Sequence, residues 1–118
     1  MNEVWNPVQV ENSIREVVTR IANSVKTCDE RYRTFQKAEH AYEVAYAHAY
    51  MSHQGAAHEK KYAAVLETQK EREARDVADA AYKYVDRLAK SLESELRAWQ
   101  SVGASIRAAY GVAGRGEQ

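Results

Sequence analysis

Residues 41–55 read AYEVAYAHAYMSHQG. Tyr42, Tyr46 and Tyr50 recur every four residues among alanines, and the run stops at Gly55. On a helix, each four-residue step overshoots a full turn by only about 40°, so the three rings form one slowly turning stripe. Glycine can then end the helix, because it takes left-handed backbone without a steric penalty. The stretch predicts a helix up to residue 52, a reversal over residues 53–56 and a returning helix.

Working back toward the N-terminus, Asn6 precedes Pro7. Asn suits an N-cap, and proline at the first helical position gives up only an amide that would be unpaired. Helix one is therefore predicted over residues 7–52. Its apolar positions Ile14, Val18, Ile21, Val25, Cys28, Tyr32, Phe35, Tyr42, Tyr46 and Ala49 step by three and four, the spacing of a coiled-coil seam. Glu39 interrupts that seam.

Helix two is predicted over residues 57–110. Ala78, Ala81, Val85, Leu88, Leu92, Trp99, Val102, Ile106 and Ala109 trace its seam, with Glu95 on a seam position beside Leu96. Upstream, Tyr62 and Leu66 are apolar, but Gln69 and Glu73 fall where the seam should continue. Acid-first pairs four residues apart (Glu11/Arg15, Glu16/Arg20, Asp29/Arg33, Glu71/Arg75, Asp79/Lys83, Asp86/Lys90, Glu93/Arg97) support helices with a solvated outer face. Glycines at 111, 114 and 116 predict a frayed tail over residues 111–118.

The expected fold is all-α: one domain, residues 1–118, built as a long antiparallel, coiled-coil-like helical hairpin. At about 1.5 Å per residue its length would be roughly 65–75 Å. A pivot at Gly55 pairs residues whose numbers add to roughly 110. Val25 then faces Val85, Val18 faces Leu92, and Tyr32 faces Ala78. Glu39 lands opposite Glu71, within reach of Lys70, Arg72 or Arg75, which predicts a polar layer of the kind that fixes register. Val17, Val44, Val77, Tyr84 and Leu96 lie off this seam, and apolar patches left on a helical surface mark association. A homodimer or higher assembly is expected, as a four-helix bundle of two hairpins.

Composition narrows the function classes. Seventeen basic residues balance seventeen acidic ones, so the basic excess typical of duplex binders is missing and nucleic acid is a disfavoured partner. Cys28 is the single cysteine, so no disulfide can form within the chain, which fits a reducing compartment. No apolar run approaches the roughly 20 residues of a membrane span, and the first residues lack the pattern of a secretory signal. A cytoplasmic location without membrane contact is expected.

The tyrosines can serve in three ways. Tyr42, Tyr46 and Tyr50, with Tyr62 on the return helix, can close the tip of the hairpin while alanines at 41, 45, 47 and 49 let the backbones approach. They can form a docking surface for a protein, since tyrosine offers large contact area at low entropic cost. They can stack bases, which also needs cations along the strand, and in sequence only Lys60, Lys61 and histidines are near. The Ser101–Ser105 stretch around Gly103 is a second candidate contact surface, either a kink or a close approach for another helix.

His53 and His58 flank the turn and His40 and His48 precede it, but no Glu-x-x-His pairing suggests a metal. Cys28 reads as a small seam residue rather than a nucleophile. Glu93 and Glu95 are two apart and do not share a helical face. No enzyme, cofactor or metal is expected.

Two family resemblances bear on the chain. Tyr82 and Asp86 match the tyrosine-x-x-x-acid export signal of the WXG100 family of small secreted hairpins. The turn His53-Gln-Gly-Ala lacks that family's tryptophan-x-glycine, and some 25 residues of predicted helix follow Asp86, so this resemblance is set aside. From about Ala38 to Tyr110, the alanine/tyrosine run, the Gly55 turn, the charged return helix and Leu96-Arg-Ala-Trp-Gln-Ser-Val-Gly-Ala-Ser-Ile-Arg107 resemble small uncharacterised helical proteins of actinobacterial tailed phages. That resemblance implies a setting among phage recombination and replication genes, in the host cytoplasm, without supplying an activity. The expected function is a non-enzymatic, self-associating protein that binds another protein, one of host or phage DNA metabolism. The alternatives are a single-stranded nucleic-acid accessory factor and a purely structural assembly subunit.

Overall fold

The computed structural model describes residues 5–116, with side chains described through residue 111. Three helices follow one another: α1 (Pro7–Ser52), α2 (Ala57–Glu67) and α3 (Gln69–Gly116). The protein is all-α, a helical hairpin in which α1 packs against α3. Where the sequence reads as one domain, the chain divides into two compact units, Met1–Val25 with Arg87–Gln118, and Lys26–Asp86.

The start of α1 follows from its sequence. Gln9 donates its backbone N–H to Asn6 Oδ1 at 2.8 Å, and Asn6 donates its own to Gln9 Oε1 at 3.0 Å. This reciprocal capping box satisfies two amides at the helix start, and such a cap is worth about 1 kcal/mol.

The reversal occupies residues 53–56 as expected, but not by the expected means. No described glycine has positive φ. The chain turns instead through an extended Ala56 (φ −61°, ψ 151°), whose carbonyl accepts the Glu59 N–H at 3.0 Å. Gly55 leaves room for two side chains. A Cβ there would run into the His53 ring and the Glu59 carboxylate, which pair at 3.4 Å beside the turn.

The return is not one helix. At Thr68 the backbone leaves helical values (φ −110°, ψ 20°) and separates α2 from α3. Thr68 is 2% exposed, and its hydroxyl donates to the Ala64 carbonyl at 2.6 Å, alongside its own N–H at 3.1 Å. A hydroxyl competing for that carbonyl bends a helix. Beyond it α3 runs unbroken through Gly103 and on to Gly116, past the expected boundary at 110. Residues 117–118 of the expected tail lie outside the described residues.

The seam keeps alternate predicted positions (Ile14, Ile21, Cys28, Phe35 and Tyr42 on α1; Ala78, Val85, Leu92 and Trp99 on α3) and moves by one residue at positions between them. In the Met1–Val25/Arg87–Gln118 unit, α1 turns Val10, Ile14, Val17 and Ile21 inward, and α3 turns Leu92, Leu96, Trp99 and Gly103 inward. Val17 is 2% exposed, whereas Val18, placed on the seam from sequence, is 48% exposed. In the Lys26–Asp86 unit, Cys28, Phe35, Ala38 and Tyr42 lie inward on α1, and Glu71, Arg75, Ala78, Tyr82 and Val85 on α3.

This shift has a physical reason. It removes Glu95 from the seam and frees it to pair with Arg20 at 3.7 Å. It also sets Gly103 against Val10, where an added Cβ would meet Val10 Cγ1 at 3.3 Å. The numbers of contacting residues now add to between 113 and 115: Val10 with Gly103, Arg20 with Glu95, Cys28 with Val85, Tyr32 with Tyr82. The predicted pairings of Val25 with Val85, Val18 with Leu92 and Tyr32 with Ala78 therefore move by about one turn.

Candidate functional site

The tyrosine stripe forms as the spacing predicts. Ring centroids lie 6.1 Å apart between Tyr42 and Tyr46, edge to face, and 6.4 Å apart between Tyr46 and Tyr50, stacked. Such aromatic contacts stabilise beyond their buried area, each by about 0.5–1.5 kcal/mol. Tyr42 and Tyr46 are half-buried and Tyr50 is exposed. Beneath the stripe, Ala49 and Ala64 are buried and Ala45 half-buried, so small residues do bring α1 and α2 close. Ala41 and Ala47 face outward instead.

Tyr62 does not join the stripe. It is 67% exposed and makes no ring contact among the described residues. Ala64 holds the facing position, because the helical phase of α2 turns residue 62 outward.

What α2 and α3 bring to the stripe is positive charge. Lys60 Nζ stands 5.7 Å from the centre of the Tyr50 ring, and the Arg75 guanidinium carbon 4.8 Å from that of Tyr42. Cations over ring faces are attracted by the negative face of the π-system. Arg75 is held in place by Asp76 Oδ1, to which its Nε and Nη2 donate at 3.1 and 3.0 Å. Beside Tyr42 and Tyr46 runs a groove of about 440 Å³, lined by these rings and by Glu43, Lys61, Val65, Arg72 and Arg75. Sequence reasoning counted Lys60 and Lys61 but missed Arg72 and Arg75. The charge-pair pattern assigned Arg75 to Glu71, and finding it over Tyr42 required the true register.

The expected facing of Glu39 and Glu71 is displaced. A register sum of 113 sets Tyr42, rather than Glu39, level with Glu71. Glu39 and Glu71 are both half-buried, Lys70 and Arg72 are exposed, and no ion pair joins them among the described residues. Glu71 Oε2 is buried without a hydrogen-bond partner among those residues. Removing such an oxygen from water costs on the order of 1–3 kcal/mol.

Gly103 belongs to the seam rather than to an outer contact surface. It is buried, and Val10 of α1 fills the space its missing side chain leaves. Of the surface charge pairs, Glu11–Arg15, Asp29–Arg33 and Asp79–Lys83 form. Arg97 turns instead to the Ser94 hydroxyl. These exposed pairs add little stability. His53 pairs with Glu59 rather than with His58. The Cys28 thiol, half-buried, donates to the Val85 carbonyl at 3.5 Å. No group of three or more His, Cys, Asp or Glu among the described residues could hold a metal ion. No helix among them is long and apolar enough to cross a membrane.

Comparison of the chain with protein-family models, curated proteins and solved structures finds no match.

Proposed function

We propose that this protein is a non-enzymatic, self-associating helical interaction protein. One observation carries the proposal: α3 has a second apolar stripe outside its intrachain seam. Val77 and Tyr84, seven residues apart, are 64% and 67% exposed, with Ala81 between them on the same face. That spacing is the one by which α1 and α3 already pack, so another helix of the same kind fits it, and a second copy of this chain supplies one. Val17 and Leu96, counted from sequence among the off-seam residues, are spent inside the hairpin. Val77 and Tyr84 remain available.

Light scattering after gel filtration at tens of micromolar tests this. The native protein is expected to run as a dimer or larger. The Val77→Glu/Tyr84→Lys double variant should run as a monomer with unchanged far-UV circular dichroism. A monomeric native protein removes the proposal.

The non-enzymatic part rests on the sequence, in which no catalytic motif stands out and the paired acids Glu93 and Glu95 do not share a helical face. The setting we assign, the cytoplasm of a phage-infected actinobacterial cell and a partner in DNA metabolism, rests on the sequence resemblance alone.

A further inference from the structure

We infer that the groove beside the tyrosine stripe, together with the Tyr50–Lys60 end of the stripe beyond it, binds single-stranded nucleic acid, with bases against the rings of Tyr46 and Tyr50 and phosphates on Lys61 and Arg72 in the groove and on Lys60 beyond it. The balanced overall charge argues against a phosphate-binding protein only when charge is counted over the whole chain. Locally the count differs. Lys61, Arg72 and Arg75 line one groove with a single acid, Glu43. Arg75 is already engaged by Asp76 and Tyr42. Lys61 and Arg72 form no ion pair or hydrogen bond among the described residues. Two unneutralised cations facing one aromatic-lined groove form a site for an anion that also carries flat apolar surface.

The rings favour a nucleic-acid strand over an acidic peptide. An acidic peptide would use the cations and leave the tyrosines idle. A strand uses both, because every base has a face to stack and every nucleotide a phosphate to neutralise. The stripe is also repetitive: three rings follow one another at 6.1 and 6.4 Å, with a cation at each end, Arg75 over Tyr42 and Lys60 over Tyr50. Repetition suits a polymer of similar units. Arg72 also lines a second groove with Val77, so the strand site adjoins the stripe proposed for self-association while its rings and Lys61 lie on other helices.

Fluorescence anisotropy with a labelled 12-nucleotide oligo(dT), on the full chain at low and rising salt, tests the inference. Binding is expected at low salt. Neutralising about three phosphates should give a log–log salt slope of about −2. Lys61→Glu/Arg72→Glu should weaken binding at least about tenfold and flatten that slope by about 1.4, while Lys26→Glu, outside the groove, leaves both unchanged. Tyr50→Leu should weaken binding with the salt slope intact, the signature of lost stacking. Circular dichroism melts of each variant show that the helices persist. Absence of binding at low salt overturns the inference, as does binding indifferent to the double charge reversal. Equal competition by polyglutamate of matched charge overturns it in favour of an acidic protein segment.

Discussion

Val17 and Val18 are neighbours in the chain, yet one is 2% exposed and the other 48%. To a pattern of apolar spacings the two are interchangeable, and Ile14 and Ile21 fit either choice. What separates them lies across the hairpin, where Gly103 and Leu96 accept a seam that includes Val17, and Glu95 would obstruct one that includes Val18. Truncating Val17→Ala should therefore cost roughly 1–2.5 kcal/mol, the loss of a buried branched side chain and the cavity it leaves. Val18→Ala should stay within about 0.5 kcal/mol of the native protein. Urea unfolding of the two variants followed by circular dichroism measures both, and equal costs would return the seam to Val18. Tyr62 and Arg75 were misplaced for a related reason: a residue's partner follows from register, and register depends on which of two adjacent residues points inward.

At the scale of elements, the sequence announced the start of α1 and its end. Asn6-Pro7 and the Gly55 turn carry local chemistry that a helix boundary requires. The break at Thr68 had no such announcement, since threonine occurs within many helices. Only burial of its hydroxyl against the Ala64 carbonyl makes it a bend. Across the bend the backbone is bridged by the Thr68 N–H to Ala64 and the Arg72 N–H to the Thr68 carbonyl. The amides of Gln69, Lys70 and Glu71 thus sit in the first turn of α3, where a helix has no carbonyl of its own to offer them. Hydrogen exchange at these three amides should run faster than at Arg72 by on the order of tenfold or more. Thr68→Val removes the competing hydroxyl and should slow that exchange. Unchanged exchange in the variant would mean that packing, and not the hydroxyl, imposes the bend.

For the whole molecule, the all-α hairpin was legible because helix spacing, balanced charge pairs and one turn all point the same way. The candidate site was legible in half. The rings were written in the sequence at four-residue steps, but the arginines facing them come from a segment some 30 residues away, and only folding brings them together. A net charge of zero is likewise a property of the sum and conceals where Lys61 and Arg72 stand uncompensated. Self-association and strand binding are thereby assigned to neighbouring surfaces that adjoin where Arg72 and Val77 line one groove.

The chain has two tryptophans, and both lie in the Met1–Val25/Arg87–Gln118 unit, edge to face with centroids 5.0 Å apart. Indole emission is consequently a private optical channel for that unit, silent about the tip, while ellipticity near 222 nm averages over every turn of helix. Heated in one cuvette, the sample should show its emission change several degrees below the ellipticity midpoint, because the indole pair joins Trp5, near one end of the chain, to a distant part of α3. Superimposable curves would mean that both units let go at once, and a single unfolding temperature would then describe the entire chain.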